Sequence, residues 1–234
     1  MDPRMTQTLP PGQHRRLDFP RFGLLRFAQR MPAQAPPLRL RVCGLVRKEL
    51  WLDAAAWAGL QRVTLQCDFH CVTGWSSAGL SWSGVRMRDV YQALIQAQAE
   101  PDDQVAYVLM RGSDGARACL PLADLLAEDV LLADQLNGQA LGLDHGAPLR
   151  LVAPAHYGYK SVKHLERLEF CRDLSRYRSS AWRFMDHPRA RVAHEERGRW
   201  LPGWLLRWLY RPLVTFTVRR FAKAGTADRL AKHG

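Results

Sequence analysis

Between residues 38 and 71 apolar and polar side chains alternate one for one in two short runs, and that period leaves little choice of backbone. In "LRLRVCGLV", Leu38, Leu40 and Val42 alternate with Arg39 and Arg41. In "RVTLQCDFHC", Val63, Leu65 and Cys67 share one face, and continued alternation puts Phe69 and Cys71 there too. A period of two is that of a half-buried strand. Between them, "ELWLDAAAWAGL" predicts a short strand, then one or two helical turns with Asp53 as N-cap.

Farther along, "RMRDVYQALIQAQ" carries a helical stripe of Val90, Leu94 and Ala97 with Tyr91 and Ile95. "QVAYVLM" and "APLRLVAP" read as strands, and Gly112, Asp114 and Gly115 supply a turn. "VLLADQLNGQAL" reads as a hairpin about Asn137-Gly138, a strong two-residue turn signal. "SVKHLERLEF" fits strand or helix equally by period. Strands outnumber helices, so the class is α+β.

With 234 residues, 47% of them hydrophobic, the chain has material for one substantial domain with extensions. Its net charge of +12 is unevenly placed: residues 1–36 carry +4, residues 37–170 carry −2 and residues 171–234 carry +10. The positive field therefore belongs to the flanks, and nucleic-acid binding by the near-neutral middle loses its motivation. Pro32, Pro36 and Pro37 mark a linker. The expected organisation is an N-terminal extension and linker over 1–36, a domain over 37–172 and a basic, Trp-rich tail over 173–234. Five scattered cysteines, an odd number, point to a reducing compartment. Arg15-Arg16 resembles the start of a twin-arginine export signal, but Arg21, Arg26 and Arg30 interrupt every apolar run that would follow. The expectation is a cytoplasmic protein.

Chemistry concentrates in "CDFHCVTGWS", Cys67 to Ser76. Cys67 on an alternating face reads as a small buried hydrophobe. Zinc takes about four ligands, and Cys67 and His70 point to opposite faces of an extended strand, with no second Cys/His pair nearby. A nucleophilic cysteine served by a later histidine is a further reading. A third uses Cys71 alone: a thiolate at a strand end, before a Gly-containing turn, presents one soft ligand to a metal carried by a prosthetic group.

Such a group needs a cradle, and "HGAPLRLVAPAHYGYKSVKH" is the candidate. It holds the cations Arg150, Lys160 and Lys163, the hydroxyl of Ser161, and Gly158, which permits close backbone approach. Arginine forks onto phosphate oxygens, and consecutive N–H groups nest anions. A solvated basic loop is the plain alternative.

Taken in order, "CDFHCVTGWS", "LSWSGV", "LPLADLL", "NGQAL" and "HGAPLRLVAPAHYGYKSVKHLERLEF" resemble the molybdopterin-dependent oxidoreductases of the sulfite-oxidase fold over roughly residues 38–170. They look closest to the branch containing bacterial periplasmic methionine-sulfoxide reductase, and closer still to its bacterial sulfite-oxidase-like relatives. The resemblance implies mixed sheets with short helices and a molybdenum–molybdopterin cofactor. Cys71 would be the protein thiolate on the metal and Arg150 would grip the cofactor phosphate. Lys160, Ser161, Val162 and Lys163 would lie at the same end, Val162 through its backbone. His145 stands where the reductase branch has an Asn that contacts the pterin. Trp75 and Trp82 are expected to pack the motif. The reaction implied is oxygen-atom transfer on a sulfoxide-like substrate.

The sequence departs from that branch at Gly112, where a Thr is usual, with Ser113 beside it, and "LDFPRFG" keeps only Phe22-Gly23 of the N-terminal pterin contacts. The sulfite-oxidising branch places arginines beside its cysteine, whereas Val72, Thr73 and Gly74 follow Cys71. Haem-binding sequence is absent, so a separate electron-transfer protein is implied. The rival from another class is a non-catalytic basic module that binds an anionic membrane or nucleic acid. In the tail, "RGRWLPGWLLRWLYRPLVTFTVRRFAKAG" mixes tryptophans and leucines with arginines that forbid a bilayer span. It suits a clasp packed on its own domain, a peripheral membrane contact, or a docking face for an electron partner.

Overall fold

The computed structural model describes residues 8–180 and 183–231. Among these the strands are, in chain order, β1 (His14–Arg16), β2 (Arg39–Gly44), β3 (Leu50–Asp53), β4 (Arg62–His70), β5 (Trp75–Arg86) and β6 (Tyr107–Gly112), then β7 (Arg117–Pro121), β8 (Leu131–Leu136), β9 (Gln139–Ala140), β10 (Arg150–Val152) and β11 (Leu165–Cys171). Helices are few: α1 (Ala54–Ala58), α2 (87–99, with a π-helical middle), α3 (Gly203–Tyr210) and α4 (Leu213–Ala231), with a few shorter turns. The α+β class holds.

Two sheets organise the chain. One runs β3-β2-β11-β6-β7 and the other β1-β5-β8-β10, with β4 on β5 and β9 on β8. Both mix directions, β11 lying parallel to β2 and antiparallel to β6. That central place settles the ambiguous "SVKHLERLEF": its second half is a strand because two neighbours complete its hydrogen bonds, which period alone cannot show.

Local chemistry builds the elements as expected. The Asp53 carboxylate accepts from Ala55 N at 3.0 Å and Ala56 N at 3.1 Å, capping α1. Asn137 and Gly138 both take positive φ, 51° and 77°, which joins β8 to β9 in a tight hairpin. The main core lies between the sheets and α2, where Leu40, Val42, Val85, Val90, Ile95, Met110, Leu132, Leu168 and Phe170 are buried. Each such side chain contributes on the order of 1.5–3 kcal/mol. A second cluster covers the other face of β4 and β5, around Trp82 and Leu131, with Val63, Leu65, Cys67 and Phe69 packed on it.

Segments on the far side of both expected boundaries, 36/37 and 172/173, make contacts with the domain. β1, only three residues of "HRR", lies parallel to β5 with His14 opposite Trp75. The downstream segment returns to the domain: Ala190 O accepts from Tyr157 N at 2.9 Å, and Arg189 pairs with Asp124 at 2.5 Å. Three polar residues in a row carry no alternation, and isolated basic residues carry no period, so neither attachment is visible as a pattern.

Candidate cofactor site

Cys71 sits one residue past β4, at the head of a turn. Its N–H donates to Trp75 O at 2.8 Å and its carbonyl accepts from Gly74 N at 3.0 Å. A register shift between Cys67 and Phe69, followed by this turn, takes Cys71 off the face that carries Cys67 and Phe69. The alternation expected through Cys71 therefore stops at Phe69. A bulge re-aims a strand end in this way. The thiol is 6% exposed, and its Sγ lies 3.1 Å from the Thr73 hydroxyl. Burial pushes its pKa up; Thr73 and the Arg197 guanidinium pull the other way.

The turn is clamped from three sides. Gln13 Nε2 donates to Cys71 O at 3.1 Å, Ser76 Oγ donates to Gln13 Oε1 at 2.9 Å, and His70 Nδ1 lies 2.7 Å from Ser76 Oγ. Arg197, fully buried, donates to Val72 O at 2.5 Å and Pro11 O at 3.0 Å, with its charge over the Tyr157 ring at 5.0 Å. Gly158 N donates to His70 O at 2.8 Å, which ties the cationic loop to the cysteine turn. At Gly158 a Cβ would collide with the Phe69 ring, so only glycine lets the loop lie this close. Trp75 and Trp82, 3% and 1% exposed, pack the motif.

A cleft with about 930 Å³ of atom-free space, partly open to solvent, runs along this loop. Ser161, Val162 and Lys163 line it, with Val72 and Gly158 from the cysteine side and Arg21, Phe22 and Gly23 from the N-terminal segment. Lys163 Nζ donates to Asp144 O at 2.8 Å, and burial beside Arg150 and Arg21 pulls its pKa down to about 7. Arg150 lies behind the wall, 1% exposed. Its guanidinium reaches only carbonyls, His145 O at 2.9 Å, Ser161 O at 3.2 Å and Leu151 O at 3.4 Å, and lies over Trp82 at 4.6 Å. Burial depresses its pKa to about 9. His145 stacks on Phe19 at 4.8 Å, its Nδ1 buried without a hydrogen-bond partner, and burial lowers its pKa to about 4. Gly112 packs against Lys163 O, so the departure at this position falls at the loop.

One expected residue is placed elsewhere. Lys160 is fully buried and its ammonium points away from the cleft, donating to Cys119 O at 2.9 Å and Pro188 O at 3.1 Å and pairing with Asp186 at 3.4 Å. Its charge is spent fastening β7 to the downstream segment, because a buried ammonium needs a full set of acceptors. Conversely Gln13, Arg21, Tyr157 and Arg197 belong to the site's surroundings and were not expected there. Arg21 had a faint signal, as the neighbour of Phe22-Gly23; the other three had none.

These residues fit a phosphate-bearing pterin whose metal accepts a thiolate. Arg150 is a buried cation met only by carbonyl dipoles and aromatic faces, burial beside two other cations makes Lys163 give up its proton readily, and the His145 nitrogen is orphaned. An anionic group with acceptor oxygens and ring heteroatoms repays all three. Among the described residues no group of three or more His, Cys, Asp or Glu is placed to hold a metal ion by protein ligands alone.

The comparisons with known proteins agree. Residues 28–178 match the family described as "Oxidoreductase molybdopterin binding domain". The chain is 34% identical over 167 residues to the uncharacterized oxidoreductase YuiH of Bacillus subtilis (strain 168), covering 70% of this chain and 80% of that one. It is 34% identical over 130 residues to the mitochondrial sulfite oxidase of Drosophila melanogaster, but spans only 22% of that protein. Among solved structures, the sulfane dehydrogenase SoxCD from Paracoccus pantotrophus superposes with a TM-score of 0.52 at 24% identity, over 65% of this chain and 43% of that one, and shares the fold. The reading as a non-catalytic basic module falls with these matches, and molybdopterin is the cofactor. The chain belongs to the molybdopterin-binding oxidoreductase family of the sulfite-oxidase type.

Proposed function

We propose that this oxidoreductase moves an oxygen atom to or from a small or side-chain sulfoxide-like substrate, with Cys71 as the protein ligand of its metal. When bound, the cofactor supplies the two-electron change that the transfer needs. The chain's own residues do the rest. The turn from Cys71 to Trp75 holds the thiol at a fixed place, and Thr73 is in reach to stabilise its anionic form. Lys163, Ser161 and the Val162 backbone, with Arg150 behind them, orient the group from its anionic end. Phe69 and Trp75 pack together beside the turn, and the thiol within it is only 6% exposed.

The observation that carries the substrate class is the charge beside Cys71. Val72, Thr73 and Gly74 are uncharged, and the nearby Arg197 is spent on Val72 O, Pro11 O and Glu195. A neutral S–O group suits that surface better than a dianion, whose desolvation would find little compensation there. Electrons would be exchanged with a separate electron-transfer protein, and the five free thiols favour a reducing cytoplasm. The test is turnover of the holoenzyme in two directions: reduction of methionine sulfoxide with reduced viologen, and oxidation of sulfite with ferricyanide. Sulfoxide turnover that disappears in Cys71→Ser is expected. Sulfite turnover without sulfoxide turnover would overturn the substrate class.

A further inference from the structure

The tail faces two ways. Inward, Leu206, Tyr210, Thr217 and Phe221 are buried, 0%, 5%, 6% and 2% exposed. Phe221 packs with Phe27 and Ala28, stacks near Phe22 at 6.3 Å and lines the cofactor cleft. That is the clasp expected as one use of this segment. Outward, Trp200, Leu201, Trp204, Trp208, Leu209, Leu213 and Phe216 are 40–71% exposed. They are seven of the ten large hydrophobic side chains the described residues leave exposed, gathered into residues 200–216. Trp204 and Trp208 lie one turn apart on α3, while Leu213 and Phe216 continue onto Arg220 and Lys223 along one side of α4. Soluble surfaces rarely gather large apolar groups this way without a use.

The charge around them is of one sign. Residues 197–227 hold seven arginines and lysines and no Asp or Glu. Of these, Arg211, Arg219, Arg220 and Lys223 are exposed. No helix among the described residues is long and apolar enough to cross a membrane.

From this we infer that α3 and the start of α4 form a peripheral docking face for an anionic lipid surface, with the tryptophans and leucines entering the headgroup region and the arginines over the phosphates. Exposed tryptophans beside leucines and a basic rim are the chemistry of an interfacial helix. A second copy of the chain is a poorer occupant, because a two-fold contact would bring the basic rims together. A nucleic acid finds nothing to read in Leu201, Leu209 and Leu213. α4 also supplies Phe221 to the cleft wall, so lipid contact and cofactor site share one helix.

The test is flotation of the full-length holoenzyme with vesicles of phosphatidylcholine alone or with about a third phosphatidylglycerol. The expected result is recovery with the anionic vesicles only. Arg219→Gln with Arg220→Gln should weaken partition about 5-fold per charge, and Trp204→Ala with Trp208→Ala should weaken it at least about 10-fold. All four positions are exposed, so the variants should fold, and unchanged cofactor content checks this. Failure to float at low salt overturns the inference. So does unchanged flotation of the tryptophan variant, which would mean adsorption by charge alone. A dimer in solution that dissolves in the tryptophan variant, with no flotation, would assign the face to a second copy instead.

Discussion

Arg197→Met is the substitution that most sharply asks whether the basic tail is a structural part of the domain. Methionine keeps most of the apolar stem but removes every donor. Val72 O and Pro11 O, now accepting at 2.5 and 3.0 Å, would be left without this guanidinium. Each acceptor stripped of its partner costs about 1–3 kcal/mol, less at exposed Pro11 than at half-buried Val72. Glu195 is not stranded, because Arg207 also reaches its Oε1 at 3.3 Å. The relief of no longer burying a guanidinium is offset by the loss of its contact with the Tyr157 ring and its pairing with Glu195. The net expectation is a destabilisation of ~3 kcal/mol. With a urea slope of about 2–3 kcal/mol/M for a chain of this size, the unfolding midpoint should drop by about 1–1.5 M. Because Val72 follows Cys71, cofactor content should fall as well. A midpoint within about 0.2 M of the parent, at full cofactor content, would refute the claim that Arg197 braces the cysteine turn.

Gly158→Ala should destabilise by about 1–3 kcal/mol and lower molybdenum per chain, since the new methyl group meets the Phe69 ring; equal stability and occupancy would show that the loop has slack. Lys163 sets a pH dependence in the cofactor-free chain. Its pKa is about 7 when folded, against an ordinary 10.5, so between those values the unfolded chain holds a proton that the folded chain lacks. Stability should therefore rise with pH across that window, by up to about 1 kcal/mol per unit for this partly exposed group. Urea midpoints at pH 7 and 9 should differ more in the parent than in Lys163→Met, and parallel shifts would deny the lysine this role.

Much of the architecture was legible because it rests on local rules. The period of two in β2 and β4, the Asp53 cap and the Asn137-Gly138 turn are each decided by a few neighbouring residues. The bulge before Phe69 was not legible, since nothing in "CDFH" marks where the register slips. Lys160 and Lys163 are three residues apart in one basic loop, yet one ammonium faces Asp186 and the other the cleft. Loop conformation separates them, and composition cannot. Gln13 and Arg197 are far from Cys71 in sequence and carry no motif; they matter through single hydrogen bonds to backbone carbonyls, the kind of contact only a folded chain reveals.

The central question is whether the Cys71 sulfur completes the metal's coordination. Molybdenum K-edge X-ray absorption on the holoenzyme and on Cys71→Ser addresses it without reference to any substrate. The parent should show one sulfur neighbour more than the variant, both retaining pterin through the Lys163 loop. Identical sulfur shells in the two proteins, at equal molybdenum content, would contradict the assignment.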